Sequence, residues 1–415
     1  MHELYEMKKL FIVPVFLLVV SLFFSACTSR SERLRVEADL VLETLHREYV
    51  PDSRIEWWDM DLIVRDDLVV LEGSLASRDI YSRVVRSMNE LFPGLKIEVL
   101  LLPVEDDGRL VNALVNNSVC HLRREPSSKT ELLTQSLLGT PIRILKTDHD
   151  MALIQLPDGY LGWTNHNEIH ALSAEEMEAY REAGKVVFKK QYGFSYCEPD
   201  ASSLPVSDLV LGSILTLEGE SGEFYQVHYP DGREAWVLKQ EFMPAEELFF
   251  SKLGAPDLVN TALAYNGVPY LWGGSSAKNI DCSGFVSNIY YMHGIQLPRD
   301  ADQQSLCGRV ICEEYSSTEL ETGDLLFFGR KATADESERV SHVGVYLGEG
   351  EFIHAAGWRD RVSINSMDST RENYIERYPE IFVRATRILG EEGEGFRPLA
   401  ENDYYKAIIS TKNEE

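Results

Sequence analysis

The sequence predicts an α+β protein in which a small N-terminal α/β unit and two small β-barrels precede a C-terminal domain of helices and a mostly antiparallel sheet. Three observations predict this arrangement. Residues 33–103 alternate between helical and strand patterns, residues 113–250 contain an internal duplication of short strands, and residues 251–390 place a helix ahead of several strands. The predicted segments are 1–27, 28–112, 113–180, 181–250, 251–390 and 391–415.

The first segment carries a targeting pattern. Lys8 and Lys9 precede an apolar run over residues 10–24, which is followed by Ser25-Ala26-Cys27. A basic start, an apolar stretch and small residues before a cleavage point are typical of a secretory signal. The cysteine after the small residues resembles a bacterial lipoprotein signal, which implies lipidation at Cys27. A plain cleaved signal and an uncleaved anchor remain alternatives. We therefore expect export to the cell envelope, with a lipid anchor on the periplasmic side of a bacterial membrane.

The small unit that follows is predicted as β-β-α-β behind one helix, and its role is not evident from the sequence. The predicted helices are Arg33–Val50 and Ile80–Leu91, and the predicted strands are Ile55–Val64, Leu68–Leu71 and Lys96–Leu102.

Residues 113–250 repeat at a constant offset of 73. The matches are Pro126 with Pro199, Leu138-Gly139 with Leu211-Gly212, Pro157-Asp158-Gly159 with Pro230-Asp231-Gly232, Trp163 with Trp236, and Glu168 with Glu241. Each copy ends on an Asp-Gly hairpin turn followed by a tryptophan, which predicts a small barrel. The copies resemble bacterial Src-homology-3 domains, most clearly at Gly159–Trp163. We expect both tryptophans in the barrel cores, whereas Tyr160, which aligns with Arg233, is a candidate surface or site position.

The third region is predicted to be a helix-then-sheet domain followed by a mobile acidic tail over 391–415. Its predicted helices are Pro256–Tyr265 and Cys282–His293, and its predicted strands are Asp324–Phe328, His342–Leu347, Glu351–Ala355 and Ile381–Ile388.

A candidate nucleophile stands at the start of the second of these helices, in Asp281-Cys282-Ser283-Gly284-Phe285. Asp281 can cap the helix, Gly284 permits close approach, and the positive end of the helix dipole favours a thiolate at Cys282. A buried structural cysteine is the alternative. The downstream histidines favour the catalytic interpretation, because a cysteine nucleophile needs a base that is near in space and not in sequence.

Two histidines supply that base. If Leu347 pairs with Glu351 across the Gly348-Glu349-Gly350 loop, His342 and His354 point to one face of the hairpin as diagonal neighbours. His342 would then accept the proton of Cys282, and His354 would fix the tautomer of His342. Two exposed histidines on a hairpin are the alternative.

Composition excludes some functions. Acidic residues number 67 against 40 basic ones, and the formal net charge is -27. This charge argues against nucleic-acid binding and against electrostatic attraction to anionic lipid, and it is otherwise accounted for by solubility.

Other polar clusters carry weaker signals. His166 and His170 flank Glu168, but the spacing is not that of a zinc-binding helix, so we expect no metal there. Five cysteines follow Cys27, and Cys307 and Cys312 could pair or stay reduced.

Together, Asp281–Phe285, Gly323-Asp324-Leu325, Ser341-His342-Val343-Gly344 and His354 resemble the NlpC family of bacterial cysteine peptidases over residues 253–390. The resemblance implies a papain-like fold, peptidoglycan stem peptides as substrates, and no metal or organic cofactor. With two Src-homology-3 units ahead of it, the chain resembles the γ-D-glutamyl-L-diamino acid endopeptidases, which act on stem peptides with a free N-terminal L-alanine.

That resemblance also implies substrate-binding residues. They are Tyr270, Trp272, Asp281, Ser283, Arg299 and Asp300 in the peptidase domain, with Tyr160 and Glu131 from the first barrel. Asp281 would pair with the ammonium of the ligand, and Arg299-Asp300 would form a charged pair at the edge of the cleft. Ala301 stands where a serine often follows the Arg-Asp pair, which removes one potential hydrogen bond.

Two other functions remain compatible with these residues. One is a non-catalytic protein that binds wall fragments, and the other is an amidase or acyltransferase that uses the same Cys-His pair on another bond. The sequence does not distinguish diaminopimelate from lysine at the third stem position.

Overall fold

The computed structural model describes residues 30–65, 68–104, 111–251, 254–393 and 395–409. Segment 1–27, including Cys27, lies outside the described residues. The chain divides into two compact units, one ending at Arg109 and one beginning at Leu110. Among the described residues, no helix is both long enough and apolar enough to span a bilayer.

The N-terminal unit has the predicted order of elements. They are α1 (Arg30–Tyr49), β1 (Trp58–Arg65), β2 (Leu68–Leu75), α2 (Arg78–Leu91) and β3 (Lys96–Leu101). Strand β2 is central, antiparallel to β1 and parallel to β3. Ser77 caps α2, and Ile80, Val84 and Met88 recur at helical spacing and pack into the core of this unit.

The two barrels are equivalent strand by strand. The first contains β4 (Asn112–Val115), β5 (Val119–Arg123), β6 (Leu132–Leu137), β7 (Pro141–Asp148), β8 (Met151–Gln155), β9 (Leu161–Asn165) and β10 (Ile169–Leu172). After α3 (Ala174–Glu182), the second contains β11 (Lys185–Phe188), β12 (Tyr192–Tyr196), β13 (Pro205–Val210), β14 (Ile214–Ser221), β15 (Phe224–His228), β16 (Glu234–Leu238) and β17 (Phe242–Pro244). The strand orders β10-β4-β7-β8-β9-β5-β6 and β17-β11-β14-β15-β16-β12-β13 correspond one to one.

Strand register confirms the duplication. Arg123 pairs with Trp163 in the first barrel, and Tyr196 pairs with Trp236 in the second, each 73 residues further on. The expectation that both tryptophans lie in the cores is half right. Trp163 is buried, but Trp236 is half-buried, because the neighbouring Ala235 and Val237 supply the inward side chains of its strand.

The C-terminal domain begins with helices that pack on an antiparallel sheet. After α4 (Ala245–Phe249) and α5 (Ala255–Ala264) come the short strands β18 (Ser275–Ser276) and β19 (Asn279–Ile280), α6 (Cys282–Tyr291), β20 (Ile295–Gln296) and α7 (Ala301–Gln304). The sheet is built from β21 (Arg309–Cys312), β22 (Leu325–Arg330), β23 (Arg339–Gly348), β24 (Glu351–Ala356) and β25 (Arg361–Ser366), followed by α8 (Arg377–Glu380) and β26 (Phe382–Arg387). Its order is β21-β26-β22-β23-β24-β25, so the two histidine-bearing strands are neighbours.

The predicted mobile tail is wrong for residues 395–409. They form β27 (Arg397–Pro398), which pairs with β20, and α9 (Asp403–Lys406). Leu399, Tyr405 and Ile408 are buried in the same core as the peptidase helices. The tail begins with charged residues and glycines, and this composition led to the prediction of mobility. Its later apolar residues are buried, and their burial stabilises the packed state.

The described cysteines after Cys27 are all unpaired. Cys120, Cys282 and Cys307 are buried, Cys312 is half-buried and Cys197 is exposed. The possible Cys307–Cys312 disulfide is therefore absent. The Cys307 thiol instead donates to the carbonyl oxygen of Gly395 over 3.2 Å, which helps to hold the C-terminal segment.

Candidate active site

Cys282 is the first residue of α6, as predicted. The Asp281 carboxylate caps this helix by accepting from the Gly284 backbone N–H over 2.7 Å. A Cβ on Gly284 would lie 2.2 Å from the carbonyl oxygen of Gly274, so the chain passes too closely here for any larger residue. Cys282 is 9% exposed, and the backbone N–H groups of Val343 and Ser283 donate toward its sulfur. The thiol therefore lies against the strand that carries His342.

His342 and His354 are brought together. Nε2 of His342 is 2.6 Å from Nδ1 of His354. The predicted pairing of Leu347 with Glu351 is wrong, because Gly348 takes that place and Leu347 forms a bulge. Beyond the bulge Val345 pairs with Ile353, which is the register that the prediction implied. His342 is also not the first residue of its strand, since β23 begins at Arg339.

The hydrogen-bond chain continues to a residue that the sequence analysis missed. Nε2 of His354 is 3.0 Å from Oδ1 of Asn365, and Nδ2 of Asn365 donates to the carbonyl oxygen of Asn373 over 3.0 Å. Both His354 and Asn365 are buried. The Asn373 carbonyl accepts only, so it orients the amide of Asn365 with the oxygen toward His354.

This orientation sets both tautomers. Because Oδ1 of Asn365 can only accept, His354 carries its proton on Nε2 and presents the lone pair of Nδ1. His342 then donates from Nε2 to that lone pair, which leaves Nδ1 of a neutral His342 free to accept a proton. The chain thus holds His342 in the form that a general base requires.

Burial favours the uncharged forms of these groups. It raises the pKa of the Cys282 thiol to about 12, and the nearby Asp281 carboxylate acts in the same direction. It lowers the pKa of His342 well below its usual range, with further lowering by His354 and Arg377. Burial likewise lowers the pKa of His354 to about 4. Burial thus opposes the thiolate that the helix dipole favours.

Aromatic side chains surround the histidine pair. The Tyr378 ring stacks on His342 at a centroid distance of 6.0 Å and an interplanar angle of 27°. The Tyr378 hydroxyl accepts from Nε1 of Trp358 over 2.9 Å. Phe328 lies 5.9 Å from the His342 ring on another side. This packing fixes the plane of the imidazole, and the sequence analysis had not singled out these aromatic residues.

Asp281 and Arg299 form a buried ion pair beneath the nucleophile. The guanidinium of Arg299 donates to both carboxylate oxygens of Asp281, over 3.1 and 2.6 Å, and to the Ser283 hydroxyl over 2.8 Å. Arg299 is 3% exposed. Arg299 also lies within ion-pair distance of Asp300, over 3.8 Å, but this contact is longer than the one with Asp281 because the guanidinium is turned inward.

The Asp281 carboxylate accepts two further bonds, from the backbone N–H groups of Gly273 and Gly284. Its acceptor positions are therefore largely occupied within the protein. These contacts give Asp281 a role in positioning α6, and its pairing with a ligand ammonium stays a prediction.

The first barrel contacts the peptidase domain at this place. The Tyr160 hydroxyl donates to Oδ2 of Asp300 over 3.1 Å, and Nε1 of Trp272 donates to Oε1 of Glu131 over 3.1 Å. Nε of Arg299 reaches the Thr134 hydroxyl over 2.6 Å. Trp272 is 65% exposed and Tyr160 is buried. The structure therefore brings Tyr160 and Glu131 to the peptidase residues that the sequence analysis named with them.

Tyr270 belongs to the same region. Its backbone N–H donates to the carbonyl oxygen of Asp360 over 2.8 Å, and its ring packs against Gly357. Burial and the nearby Cys282 raise the pKa of the Tyr270 hydroxyl, which places the ring on the nucleophile's side of the site.

Glu168 has protein partners. Its carboxylate accepts from the backbone N–H of His121 over 2.5 Å and contacts the His121 ring over 3.3 Å. Within the described ranges, no group of three His, Cys, Asp or Glu residues is arranged to hold a metal ion.

Comparisons with known proteins agree with this geometry. A family model described as the NlpC/P60 family matches residues 267–379, and one described as the bacterial dipeptidyl-peptidase Sh3 domain matches residues 122–169. The Cys282, His342 and His354 positions lie within the first match, and Glu131 and Tyr160 lie within the second.

Individual relatives cover the barrels and the peptidase domain together. The chain is 30% identical to a γ-D-glutamyl-L-lysine dipeptidyl-peptidase of Bacillus cereus over 61% of this chain and 75% of that protein. It is 28% identical to dipeptidyl-peptidase 6 of Lysinibacillus sphaericus over 64% and 94%. A crystal structure of an NlpC/P60 family protein from Bacillus cereus is 25% identical, with a TM-score of 0.57 over 67% of this chain and 99% of that one.

Proposed function

Because this chain belongs to the NlpC/P60 family and is thereby a cysteine peptidase that hydrolyses peptidoglycan, we propose that it cleaves the γ-D-glutamyl–L-diamino acid bond of stem peptides, specifically those with a free N-terminal L-alanine. The observation that carries the proposal is the contact of the first barrel with Trp272 and Asp300 of the peptidase domain, made by Glu131 and Tyr160. Relatives that share this barrel and peptidase arrangement are named as dipeptidyl-peptidases.

The proposed chemistry uses Cys282, His342 and His354. Nδ1 of His342 takes the thiol proton as the sulfur attacks the γ-carbonyl carbon of D-glutamate, and the backbone N–H of Cys282 and the start of α6 hold the oxyanion. His342 then returns the proton to the departing diamino acid nitrogen, which leaves a thioester. Water attacks the thioester with His342 again as base, releasing the γ-carboxylate and the thiol.

Burial raises the pKa of the Cys282 thiol and lowers that of His342, which favours transfer of the thiol proton as the sulfur attacks. His354 stabilises the transient imidazolium through the lone pair of Nδ1 only while Asn365 holds its proton on Nε2.

Two carboxylates at the covered end of the cleft suit a ligand ammonium. The side chains of Asp300 and Glu131 are 26% and 41% exposed. Glu131 pairs with the exposed Arg124 over 2.7 Å, and Asp300 accepts from Tyr160 and lies 3.8 Å from Arg299, whereas both oxygens of Asp281 accept from the buried Arg299. A free L-alanine amine would gain a charge-assisted contact there, and an acylated one would lose that contact and meet the first barrel. We therefore assign recognition of the amine to Asp300, Glu131 and Tyr160, with Tyr270, Trp272 and Ser283 lining the same cleft.

The principal test uses Cys282→Ala with L-Ala-γ-D-Glu-diamino acid peptides, free or N-acetylated. The wild type should cleave the free peptide and act far less on the acetylated one, and the variant should cleave neither. Cys312→Ala, at a half-buried thiol away from the histidines, serves as the matched control and should retain activity. Turnover by the Cys282 variant would remove the nucleophile assignment, and equal cleavage of both peptides would remove the free-amine requirement.

A second test addresses Asn365 as a positioning residue. Asn365→Leu leaves Nε2–H of His354 without its acceptor, and we expect kcat to fall about 10- to 100-fold. Asn365→Asp adds a negative charge that favours a protonated His354, so the acid limb of the pH–rate profile should move to higher pH. A loss of activity in both variants with an unmoved acid limb would indicate a merely structural role.

We also propose that Cys27 becomes lipidated and tethers the enzyme in the cell envelope. The support is the sequence pattern of the first 27 residues. Growth with a radiolabelled fatty acid should label the wild type and not Cys27→Ser. An unlabelled, membrane-free wild type would contradict the anchor.

A further inference from the structure

We infer that the surface beyond the catalytic histidines binds a carboxylate on the leaving diamino acid through Arg359 and Arg377, which favours diaminopimelate over lysine. The inference rests on the proposed function, and it names the substrate class that the sequence alone leaves open.

The proposed mechanism determines where the leaving diamino acid lies. The departing nitrogen receives its proton from His342, so that nitrogen must come within hydrogen-bonding distance of the imidazole. The side chain of the leaving residue then extends over the surface next to His342, on the side away from the first barrel. The groups exposed there decide which diamino acid is accepted.

A continuous set of contacts leads from the imidazole to this surface. Tyr378 stacks on His342, and its hydroxyl accepts from Nε1 of Trp358 over 2.9 Å. The guanidinium carbon of Arg359 lies 4.3 Å from the centre of the Trp358 ring, and Trp358 is 53% exposed. Arg377 directly precedes Tyr378 at the start of α8. The Arg359 guanidinium therefore lies over an exposed aromatic ring that is connected to His342 through Tyr378, and Arg377 stands at the start of the helix that carries Tyr378.

Arg359 and Arg377 are two of the five peptidase-domain arginines that form no ion pair among the described residues, and the others are Arg339, Arg361 and Arg397. The remaining arginines of the domain do form ion pairs, namely Arg299, Arg309, Arg330, Arg371, Arg384 and Arg387. Within the described ranges, neither Arg359 nor Arg377 has a carboxylate within ion-pair distance, although the chain carries 67 acidic residues. Unpaired exposed guanidinium groups remain available to a ligand.

The electrostatic effect of the two arginines on the histidines agrees with their position near the reaction centre. Arg377 contributes to the lowered pKa of His342, and Arg359 contributes to the lowered pKa of His354. Asp360 and Glu376 are exposed carboxylates beside these arginines in the chain. The two guanidinium groups nevertheless act on the catalytic histidines as positive charges.

The two candidate leaving residues differ in charge at their far end. Lysine ends in an ammonium group, which two nearby guanidinium groups repel. Diaminopimelate ends in a carbon that bears both an ammonium and a carboxylate, and the planar guanidinium group suits that carboxylate. The inferred preference differs from the one in the name of the Bacillus cereus relative, a γ-D-glutamyl-L-lysine dipeptidyl-peptidase.

The experiment measures kcat/KM on three peptides that differ at one position, L-Ala-γ-D-Glu followed by diaminopimelate, by diaminopimelate with an amidated far carboxyl, or by lysine. We expect the wild type to prefer the free carboxylate over the amide by about tenfold, since two exposed charge-assisted contacts contribute modestly. Arg359→Gln/Arg377→Gln should lower kcat/KM on diaminopimelate to the level of the amide and leave the lysine peptide within about twofold.

The control is Arg397→Gln, an exposed arginine of β27 outside this surface, which should keep the wild-type preference. Equal wild-type rates on the free and amidated peptides would overturn the inference while leaving the proposed function intact. Equal losses on all three peptides in the double variant would also overturn it. If the wild type cleaves none of the peptides, the proposed function fails first and the inference fails with it.

Discussion

The first and the second barrel share strand order and register, but they meet the peptidase domain through different side chains. The pairs of equivalent positions are Tyr160 and Arg233, Glu131 and Leu204, and Thr134 and Ser207. In the first barrel these residues contact Asp300, Trp272 and Arg299. In the second, Arg233 folds back onto Asp231 and the Tyr229 ring, and Leu204 is 74% exposed.

The contrast distinguishes residues that maintain the barrel fold from residues that contact the peptidase domain. Positions that keep strand pairing recur in both copies, whereas positions that reach the cleft occur in the copy that covers it. The contacts of each barrel with the peptidase domain, called here the first and the second junction, differ as well. The first barrel meets Arg299 in a buried ion-pair network, and the second meets Lys278 through Asp208 over 2.6 Å at a partly exposed site.

The largest effect should come from breaking the first junction. Arg299→Met leaves the buried Asp281 carboxylate without its counterion, so we expect a loss of about 3–5 kcal/mol in the free energy of unfolding and loss of activity. Lys278→Met removes the partly exposed pair of the second junction and should cost less than about 1 kcal/mol. Urea titration of both variants checks the difference, and equal losses would contradict the contrast between the junctions.

Tyr160 should matter for substrate selection, and its counterpart should not. Tyr160→Phe removes the hydroxyl bonded to Asp300, and we expect KM for the free-amine peptide to rise about two- to tenfold, the range of one hydrogen bond. Steady-state kinetics on free and acetylated peptides measure the change. Arg233→Gln should leave both constants unchanged, and a similar rise in that variant would refute the assignment.

Glu131 should have a smaller effect. Glu131→Gln keeps an acceptor for Trp272 but removes the charge offered to the ammonium, so kcat/KM on the free-amine peptide should fall about two- to fivefold. The loss should shrink at high salt, because the side chain is partly exposed. Leu204→Gln, at the equivalent position of the second barrel, should have no kinetic effect.

The smallest effect concerns stability and pH. Burial raises the pKa of Asp158 in the first barrel to about 6, whereas the Asn116 and Arg233 contacts outweigh burial and lower the pKa of Asp231, its counterpart. A raised carboxyl pKa means that the folded state binds the proton more tightly, so stability falls as pH rises from about 4 to about 6. The lowered pKa of Asp231 has the opposite effect. The stability that this carboxylate contributes is lost as pH falls through its pKa in the folded state.

Asp158→Asn should therefore raise the melting temperature at pH 7.5 by about 1–3 °C, and the gain should vanish at pH 4. Asp231→Asn should lower the melting temperature at pH 7.5. Thermal unfolding at the two pH values measures both changes, and shifts of the same sign in the two variants at pH 7.5 would contradict the assigned protonation.

The sequence reveals what local patterns encode. The register of one hairpin relates His342 to His354, so their spacing predicts that they lie close together. Cys282 is on a separate helix and is recognised by its own local motif. The duplication is visible because its copies align without a gap. Asn365 and Tyr378 could not be predicted as site residues, because asparagine and tyrosine are common and no local motif marks them. Asn365 contacts His354 across a strand pair, and Tyr378 contacts it from a helix turn.

Long-range electrostatics and packing explain the remaining errors. Arg299 stands next to Asp300, yet it pairs with Asp281, 18 residues earlier, because the fold buries its side chain under α6. The C-terminal segment begins with glycines and acids, so its composition suggested mobility. Its apolar residues pack into a core that the barrels and the peptidase domain form together, and the composition of the segment alone does not reveal that core.

That C-terminal segment ties together parts of the chain that are far apart in sequence. Nδ2 of Asn402 donates to the carbonyl oxygen of Pro157, and the Tyr404 hydroxyl donates to Oε1 of Gln155, both in the first barrel. The paired residues are 245 and 249 positions apart. Closing loops of that length costs conformational entropy, so we expect these bonds to form late in folding, after the barrel and the peptidase helices have packed.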